Sequence, residues 1–164
     1  IKVTLDNFIF ALKQACMPAR QQQFIFNEVD IILDIAHNPE SIKQLYLLLK
    51  QQKKNRKISA IFGMLNDKDL TTSLNIMKEI VDNWYISELK TSRTYLIEQY
   101  QNITENLGIR TARFYSSLNQ AYESAFAEVS KGDLVVIFGS FNIVLPEFFN
   151  QLDPIHFQTS ECQV

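Results

Sequence analysis

The sequence predicts an α/β domain of three layers, in which helices flank a mostly parallel, Rossmann-like sheet of about six strands. Short apolar segments alternate with segments of helical periodicity along most of the chain, which is typical of βαβ units. Two apolar segments, 31–33 and 134–138, are uninterrupted, as expected for central strands covered on both faces. The 164 residues, 46% of them hydrophobic, suffice for one domain with its own core.

The predicted elements follow one another in a regular order. A first helix is predicted over residues 4–15, where apolar residues recur at helical spacing, and Pro18 ends it. Strands are predicted at 24–26, 31–33, 58–62, 84–86, 111–114 and 134–138. Helices are predicted between most of them, at about 39–53, 69–82, 94–107, 117–131 and 140–151. The first two strands are too close for a helical connection, so we expect an antiparallel hairpin.

The four glycines mark boundaries between these elements. Gly63 and Gly139 directly follow predicted strands, where the backbone must turn tightly into a loop. Gly108 and Gly132 stand where the C-terminal caps of two predicted helices belong. Each strand that carries a glycine at its end is therefore expected to open directly into a loop.

Composition and charge give no indication of a nucleic-acid partner, a membrane partner or a cysteine-based metal site. A net charge of −2 gives no electrostatic reason to expect nucleic acid or an anionic membrane. No apolar segment approaches the ~20 residues of a transmembrane helix, and no secretory signal is present, so we expect a cytoplasmic protein. Cys16 and Cys162 lie in no metal-ligand spacing. Because the chain begins at Ile1 rather than Met, close to the start of the predicted helix at 4–15, we expect it to be a fragment.

Polar residues follow three of the predicted strands. In an open parallel sheet, ligands bind beyond the carboxyl ends of the strands. The segments found there are 34–40, 63–69 and 139–141, which read DIAHNPE, GMLNDKD and GSF. The sequence therefore predicts a ligand site at this edge of the sheet.

The first of these segments contains residues with two different explanations. Asn38 and Pro39 are suited to the N-cap and the first position of the following helix, so a structural role suffices for both. A structural role does not suffice to explain Asp34. This carboxylate ends an apolar strand and is placed to accept hydrogen bonds from ribose hydroxyls or to orient a cation. His37 lies at a helix N-terminus, where phosphate is favoured, and both a structural and a functional role remain open.

The other candidates also have two explanations. Asp67 or Asp69 is expected to cap the next helix. Lys68 is either a solvated surface charge or a ligand contact, and Ser140 is either an N-cap or a ligand contact. Arg20 stands in the turn after Pro18. Neither GxxxxGK[ST] nor GxGxxG occurs, which suggests that the phosphate-binding loop lies on another domain.

Five stretches, taken in order, carry a resemblance to a known family. They are MPAR at 17–20, DIAHNP at 34–39, FGMLNDKD at 62–69, VDNWY at 81–85 and FGSF at 138–141. Together they resemble the C-terminal domain of the Mur ligase superfamily, most of all its bacterial folylpolyglutamate synthase/dihydrofolate synthase branch. One departure is Ala19, where the family usually has glycine before the arginine.

The resemblance implies a three-domain, ATP-dependent ligase that joins L-glutamate to dihydropteroate or a (poly)glutamyl folate through an acyl phosphate. It implies a hinge at 1–19, a C-terminal domain at 20–152 and a tail at 153–164. The phosphate loop and the Mg²⁺ ligands would lie on the central ATPase domain, with no metal ligand in this chain. That domain and the N-terminal domain, on the same polypeptide, would be its partners. The fragment alone would be inactive.

The resemblance also implies roles for five residues. Arg20, Asp34 and His37 would bind ATP, with His37 catalytic and close to the transferred phosphate. Lys68 and Ser140 would bind the incoming glutamate. The alternative is a non-catalytic Rossmann-like module that senses nucleotide or binds another protein. A phospho-accepting receiver domain is disfavoured, because Asn27, Glu28 and Asp30 are poorly placed for it.

Overall fold

A computed structural model describes residues 20–144 of the chain. The predicted helix at 4–15, Ala19, most of the predicted helix at 140–151 and the tail from 153 lie outside these residues. Both cysteines lie outside them as well. The first ordered feature of the described part is the turn at Arg20, which leads into the first strand.

The predicted alternation of strands and helices is confirmed. The strands are β1 (Gln22–Phe26), β2 (Val29–Asp34), β3 (Ile58–Phe62), β4 (Asn83–Ser87), β5 (Ala112–Tyr115) and β6 (Leu134–Phe138). The helices are α1 (Pro39–Lys53), α2 (Leu70–Met77), α3 (Ile97–Asn106) and α4 (Leu118–Glu128), and a short 3₁₀ turn follows at Phe141–Ile143. No helix among residues 20–144 is long and apolar enough to cross a membrane.

The six strands form one sheet in the order β1-β2-β6-β3-β4-β5. β1 and β2 form the expected antiparallel hairpin, and every other neighbouring pair is parallel. β6, the last strand among residues 20–144, lies between β2 and β3 at the centre of the sheet. This position explains why β6 is buried along its whole length, as its uninterrupted apolar sequence predicts.

Helices pack on both faces of the sheet through apolar side chains, so the sheet is the middle of three layers. α1, α2 and α3 pack on one face through residues such as Leu45, Leu74 and Tyr100. α4 packs on the other face through residues such as Ala121 and Tyr122. Side chains of each central strand point alternately to these two clusters, as the two-residue repeat of a strand requires.

Several predicted helix boundaries are wrong by a few residues. α2 ends at Met77 rather than near 82, because the chain leaves the helix to bring the Asp82 carboxylate to the backbone N–H of Ile58, at 2.8 Å. α4 ends at Glu128, and its cap residue Val129 is extended. Gly132 is therefore not a helix cap: with φ of 84° it belongs to the turn that leads into β6.

Candidate functional site

The register of the sheet brings the three polar loops together. Asp34 at the end of β2 lies opposite Phe138 at the end of β6, and Phe138 lies opposite Phe62 at the end of β3. Three strands therefore end in one row, and the loops that follow them leave the sheet side by side. The sequence-based expectation of a shared edge is confirmed.

Two glycines allow these loops to meet. Gly139 has φ of 115°, and a Cβ atom on it would lie 2.5 Å from the carbonyl oxygen of Gly63. A Cβ atom on Gly63 would lie 2.7 Å from the side chain of Leu89. Gly139 thus lets the loop after β6 approach the loop after β3 more closely than a residue with a Cβ atom permits, and Gly63 packs against the loop after β4.

The Asp34 carboxyl is buried at the end of β2, with 7% of the residue exposed. Its Oδ1 accepts a hydrogen bond of 2.8 Å from the backbone N–H of Ala36. Burial raises the pKa of Asp34, while the Ala36 N–H and the nearby Arg20 and His37 act in the opposite direction. The structure therefore places two other predicted site residues, Arg20 and His37, near the Asp34 carboxyl group.

The geometry of His37 defines its tautomer. Nδ1 lies 2.7 Å from the carbonyl oxygen of Ile35, which only accepts, so Nδ1 carries a proton. Nε2 is then free to accept a hydrogen bond in the neutral ring or to donate one in the charged ring.

The next residue, Asn38, caps α1: its Oδ1 accepts from the backbone N–H of Ser41 at 2.9 Å, and Pro39 is the first residue of the helix.

A cleft of about 230 Å³ opens where the loops meet. Three of the predicted site residues line it, namely His37, Lys68 and Ser140. Arg20 and Asp34 are not part of its lining, although the Asp34 carboxyl lies beside His37. The cleft is also lined by Ile35, Leu65, Arg93, Gly139, Phe141 and Asn142.

Arg93 is a cleft residue that the sequence did not identify. It lies in the loop after β4, on the same edge of the sheet, but its surroundings resemble no short motif. Its Nη2 donates to both carboxylate oxygens of Asp67 at 3.2 Å, and the Nζ of Lys68 lies 3.2 Å from Oδ2 of the same carboxylate. The Lys68 hydrogen bond, followed by Arg93, holds the pKa of Asp67 below its usual value. Asp67 is thus no helix cap; Asp69 caps α2 by accepting from the Thr72 N–H at 3.0 Å.

The loop that carries Lys68 is held from the side by the segment after β4 and by α3. The buried hydroxyl of Tyr100 accepts from the backbone N–H of Met64 at 2.9 Å and contacts the Met64 carbonyl oxygen at 3.2 Å. The Tyr95 hydroxyl donates to the carbonyl oxygen of Lys68 at 2.7 Å. These contacts give the Lys68 backbone a defined position at the cleft.

Ser140 combines both of its expected environments. Its Oγ accepts from the backbone N–H of Asn142 at 3.1 Å and so caps the 3₁₀ turn, and Ser140 also lines the cleft. The hydroxyl proton remains a possible donor to a ligand. Among residues 20–144 no group of three or more His, Cys, Asp or Glu side chains lies close enough to hold a metal ion.

Taken together, the cleft suits an anion. The cations of Lys68 and Arg93 and the imidazole of His37 line it. Both cations contact the Asp67 carboxylate, whose single negative charge neutralises only one of them. The hydroxyl of Ser140 adds a neutral donor. A ligand that carries carboxylates or phosphates would meet complementary charge here.

Comparison with known proteins covers all of these loops. A family model described as Mur ligase, glutamate ligase domain, matches residues 19–141. A dihydrofolate synthase/folylpolyglutamate synthase of Escherichia coli (strain K12) is 34% identical over 133 residues, covering 81% of this chain and 30% of that protein. A protein with the same name in Buchnera aphidicola subsp. Schizaphis graminum is 30% identical over 131 residues. The chain spans about 30% of the length of these curated relatives.

Solved structures share the fold. E. coli FolC in complex with DHPP and ADP matches with a TM-score of 0.75 and 31% identity, over 87% of this chain and 33% of that chain. A bifunctional folylpolyglutamate synthase/dihydrofolate synthase with Mn, AMPPNP and L-glutamate bound matches with a TM-score of 0.75 and 30% identity, over 88% of this chain and 34% of that chain.

Proposed function

Because this chain belongs to the Mur ligase family and corresponds to its glutamate ligase domain, we propose that it is the C-terminal domain of an ATP-dependent folate ligase. The enzyme would join L-glutamate to dihydropteroate or to a (poly)glutamyl folate. The remaining N-terminal and central ATPase domains, on the same polypeptide, are its partners in this proposal. Folate or pteroate and L-glutamate are its substrates, and the cytoplasm is its location.

One observation carries this proposal: the cleft gathers His37, Lys68 and Ser140 from three different strands. The reaction involves ATP phosphates, a substrate carboxylate and the carboxylates of glutamate, so its components are anionic. A cleft with more cationic than anionic side chains suits such ligands. Relatives with ADP, AMPPNP, Mn or L-glutamate bound are consistent with this chemistry.

The proposed reaction has two steps. A carboxylate oxygen of the pteroate or folate attacks the γ-phosphorus of ATP, the bond to the bridging oxygen of ADP breaks, and an acyl phosphate forms. The amino nitrogen of glutamate then attacks the acyl carbon and loses a proton, and inorganic phosphate leaves as the amide forms. Both steps concentrate negative charge on phosphoryl and acyl oxygens, so positioned donors and cations carry much of the rate.

We assign the residues as follows. Arg20 contacts ATP phosphates, and Asp34 holds the ribose side of the nucleotide. His37 presents Nε2 to the transferred phosphate, since Nδ1 is engaged by the Ile35 carbonyl oxygen. Lys68 and Ser140 hold the incoming glutamate, Lys68 as a point charge for a carboxylate.

The proposed domain boundaries are a hinge at 1–19, the C-terminal domain at 20–152 and a tail at 153–164. The Mg²⁺ that ATP requires is assigned to the preceding domains, together with the phosphate loop.

His37 and Asn38 provide the test, because they separate catalysis from stability within one loop. His37→Ala removes one hydrogen bond to a carbonyl oxygen and should cost about 0.5–1 kcal/mol of unfolding free energy. Asn38→Ala removes the cap of α1 and should cost about 1 kcal/mol. In the full-length enzyme, His37→Ala should lower kcat about 10²–10³-fold, whereas Asn38→Ala should leave it near that of the unsubstituted enzyme.

The measurements are chemical denaturation of both variants and steady-state amide formation from ATP, dihydropteroate and L-glutamate. If His37→Ala unfolds the domain yet the folded enzyme keeps its turnover, His37 is a structural residue and its assignment is wrong. A full-length protein that binds ATP but forms no amide would favour the nucleotide-sensing alternative.

A further inference from the structure

The four loops around the cleft stand in a defined spatial order. Because the sheet runs β2-β6-β3-β4, the cleft residues that follow these strands are, in turn, His37, Ser140, Lys68 and Arg93. Neighbouring strands are ~4.8 Å apart. Arg93 therefore follows the strand that lies farthest from the one that leads to His37.

The Arg93 guanidinium is held in place but keeps donors available. Within the part of the chain that the structure describes, only Nη2 is hydrogen-bonded, to the two oxygens of Asp67. Nε and Nη1 make no hydrogen bond there, and 59% of the side chain is exposed. A surface ion pair alone would add little stability, so stabilisation of the fold does not by itself account for this arginine at the cleft.

Two cations meet at one carboxylate. Lys68 Nζ and Arg93 Nη2 both lie 3.2 Å from Oδ2 of Asp67, and a single carboxylate neutralises only one of them. Lys68 is the less exposed of the two, at 31% against 59%. A ligand with two carboxylates, one near Lys68 and one near Arg93, would complete the charge balance.

An amino acid that reacts near His37 has a defined orientation in this row. Its amino group and its α-carboxylate are attached to one carbon, so both stay close to the reacting end. A side chain that extends along this row, away from His37, leads towards the loop after β4. A carboxylate at the end of that side chain arrives where the free guanidinium donors of Arg93 lie.

We propose that Arg93 binds the side-chain carboxylate of the incoming amino acid and selects an acidic amino acid over its neutral amide. Asp67 holds the guanidinium and the Lys68 ammonium side by side and so keeps both cations at the cleft. This inference rests on the proposed function and adds a specificity-determining residue to it.

The test is a competition in the full-length polypeptide that contains this chain. L-Glutamate and L-glutamine, which differ only in the charge of the side-chain group, are supplied together with ATP and dihydropteroate, and mass spectrometry measures the ratio of the two products. Arg93→Gln should lower kcat/KM for glutamate about 10- to 100-fold, mainly through KM, and leave glutamine and the KM for ATP unchanged. Arg93→Lys should restore part of the selectivity.

Arg113→Gln is the matched control. Arg113 is an exposed arginine that forms an ion pair with one carboxylate, that of Glu128, as Arg93 does with Asp67. Arg113 lies in β5 and does not line the cleft. It should leave the product ratio unchanged.

Two results would overturn the inference: an unchanged product ratio in Arg93→Gln, with or without an equal loss for glutamate and glutamine, or a rise in the KM for ATP alone. An equal loss would assign Arg93 to the α-carboxylate, and a rise for ATP would assign it to the nucleotide. If the unsubstituted enzyme forms no amide with glutamate, the proposed function itself fails; if it does and Arg93→Gln matches it, only this inference fails.

Discussion

At the level of single residues, the burial of the Asp34 carboxyl group has a cost in stability. Its carboxyl group is buried at the end of a strand, and burial outweighs the Ala36 N–H and Arg20 in raising its pKa. A group whose pKa is higher in the folded protein binds its proton more tightly there than in the unfolded chain. Ionisation of Asp34 therefore lowers the free energy of unfolding as the pH rises from the ordinary pKa of about 3.8 to the higher pKa of the folded protein. Above the folded pKa, this loss of stability is complete.

Asp34→Asn should consequently make the chain at least as stable as the original at pH 7, because the amide stays neutral and still accepts from the Ala36 N–H. The advantage should shrink as the pH falls towards 4, where Asp34 becomes protonated. Thermal unfolding of both chains across this range measures the effect. In the proposed full-length ligase, the same substitution should lower turnover, since the proposed acceptor of the ribose hydroxyls loses its negative charge.

Asp69→Asn is the control, because hydrogen bonding to Thr72 holds the pKa of Asp69 below its usual value. The sign is reversed there: ionised Asp69 stabilises the fold above its unfolded pKa and loses this effect at acid pH. Asp69→Asn should therefore bring no gain at pH 7. An Asp34→Asn chain that is clearly less stable at pH 7 would show that the carboxylate is needed for folding.

At the level of elements, the contact between the loops after β3 and β6 sets the shape of the cleft. Gly139→Ala places a methyl group 2.5 Å from the Gly63 carbonyl oxygen and 2.7 Å from the Phe62 ring, at a φ of 115°. We expect a loss of about 3 kcal/mol or more of unfolding free energy. Gly108→Ala has a similar positive φ of 71° but open space around the added atom, so it should cost only about 1 kcal/mol.

Urea denaturation of the two variants compares these costs directly. The difference between them reports the close approach of the two loops together with the larger φ of Gly139, since a positive φ disfavours alanine at both positions. Equal costs would mean that the loops separate easily and that the cleft is not rigidly formed.

At the level of the whole molecule, the predicted membership of the Mur ligase superfamily is confirmed by the family match over residues 19–141. We expect the 164-residue chain alone to fold cooperatively but neither to ligate nor to hydrolyse ATP, because no phosphate-binding loop is present in its sequence. Phosphate release with Mg²⁺ and ATP measures hydrolysis. Robust hydrolysis by the purified chain would contradict the assignment of the phosphate loop to other domains.

The same reasoning predicts weak nucleotide binding, since the chain would supply only Arg20, Asp34 and His37 to the ATP site. Isothermal titration calorimetry with ATP measures the affinity. A sub-micromolar dissociation constant for the chain alone would show that it holds a complete nucleotide site.

The elements and much of the candidate site could be predicted from the sequence, because those features depend on residues that are close together along the chain. Hydrophobic periodicity located all six strands, and β3, β6 and α1 have the predicted bounds. The cap at Asn38 and the hairpin of β1 and β2 follow from spacings of a few residues. Asp34, His37, Lys68 and Ser140 could be singled out since each follows an apolar strand at its carboxyl end.

The sequence could not predict which of the loops after the strands lie side by side, because that depends on the order of the strands in the folded sheet. The insertion of β6 between β2 and β3 depends on strand pairing between distant segments, for which no local pattern exists. The same long-range pairing brings Arg93 to Asp67 and Tyr100 to Met64, and neither arginine nor tyrosine belongs to a recognisable motif. Helix ends moved for a related reason: the Asp82 contact with Ile58 draws the chain out of α2, and such a contact across the fold outweighs the weak local preference for helix.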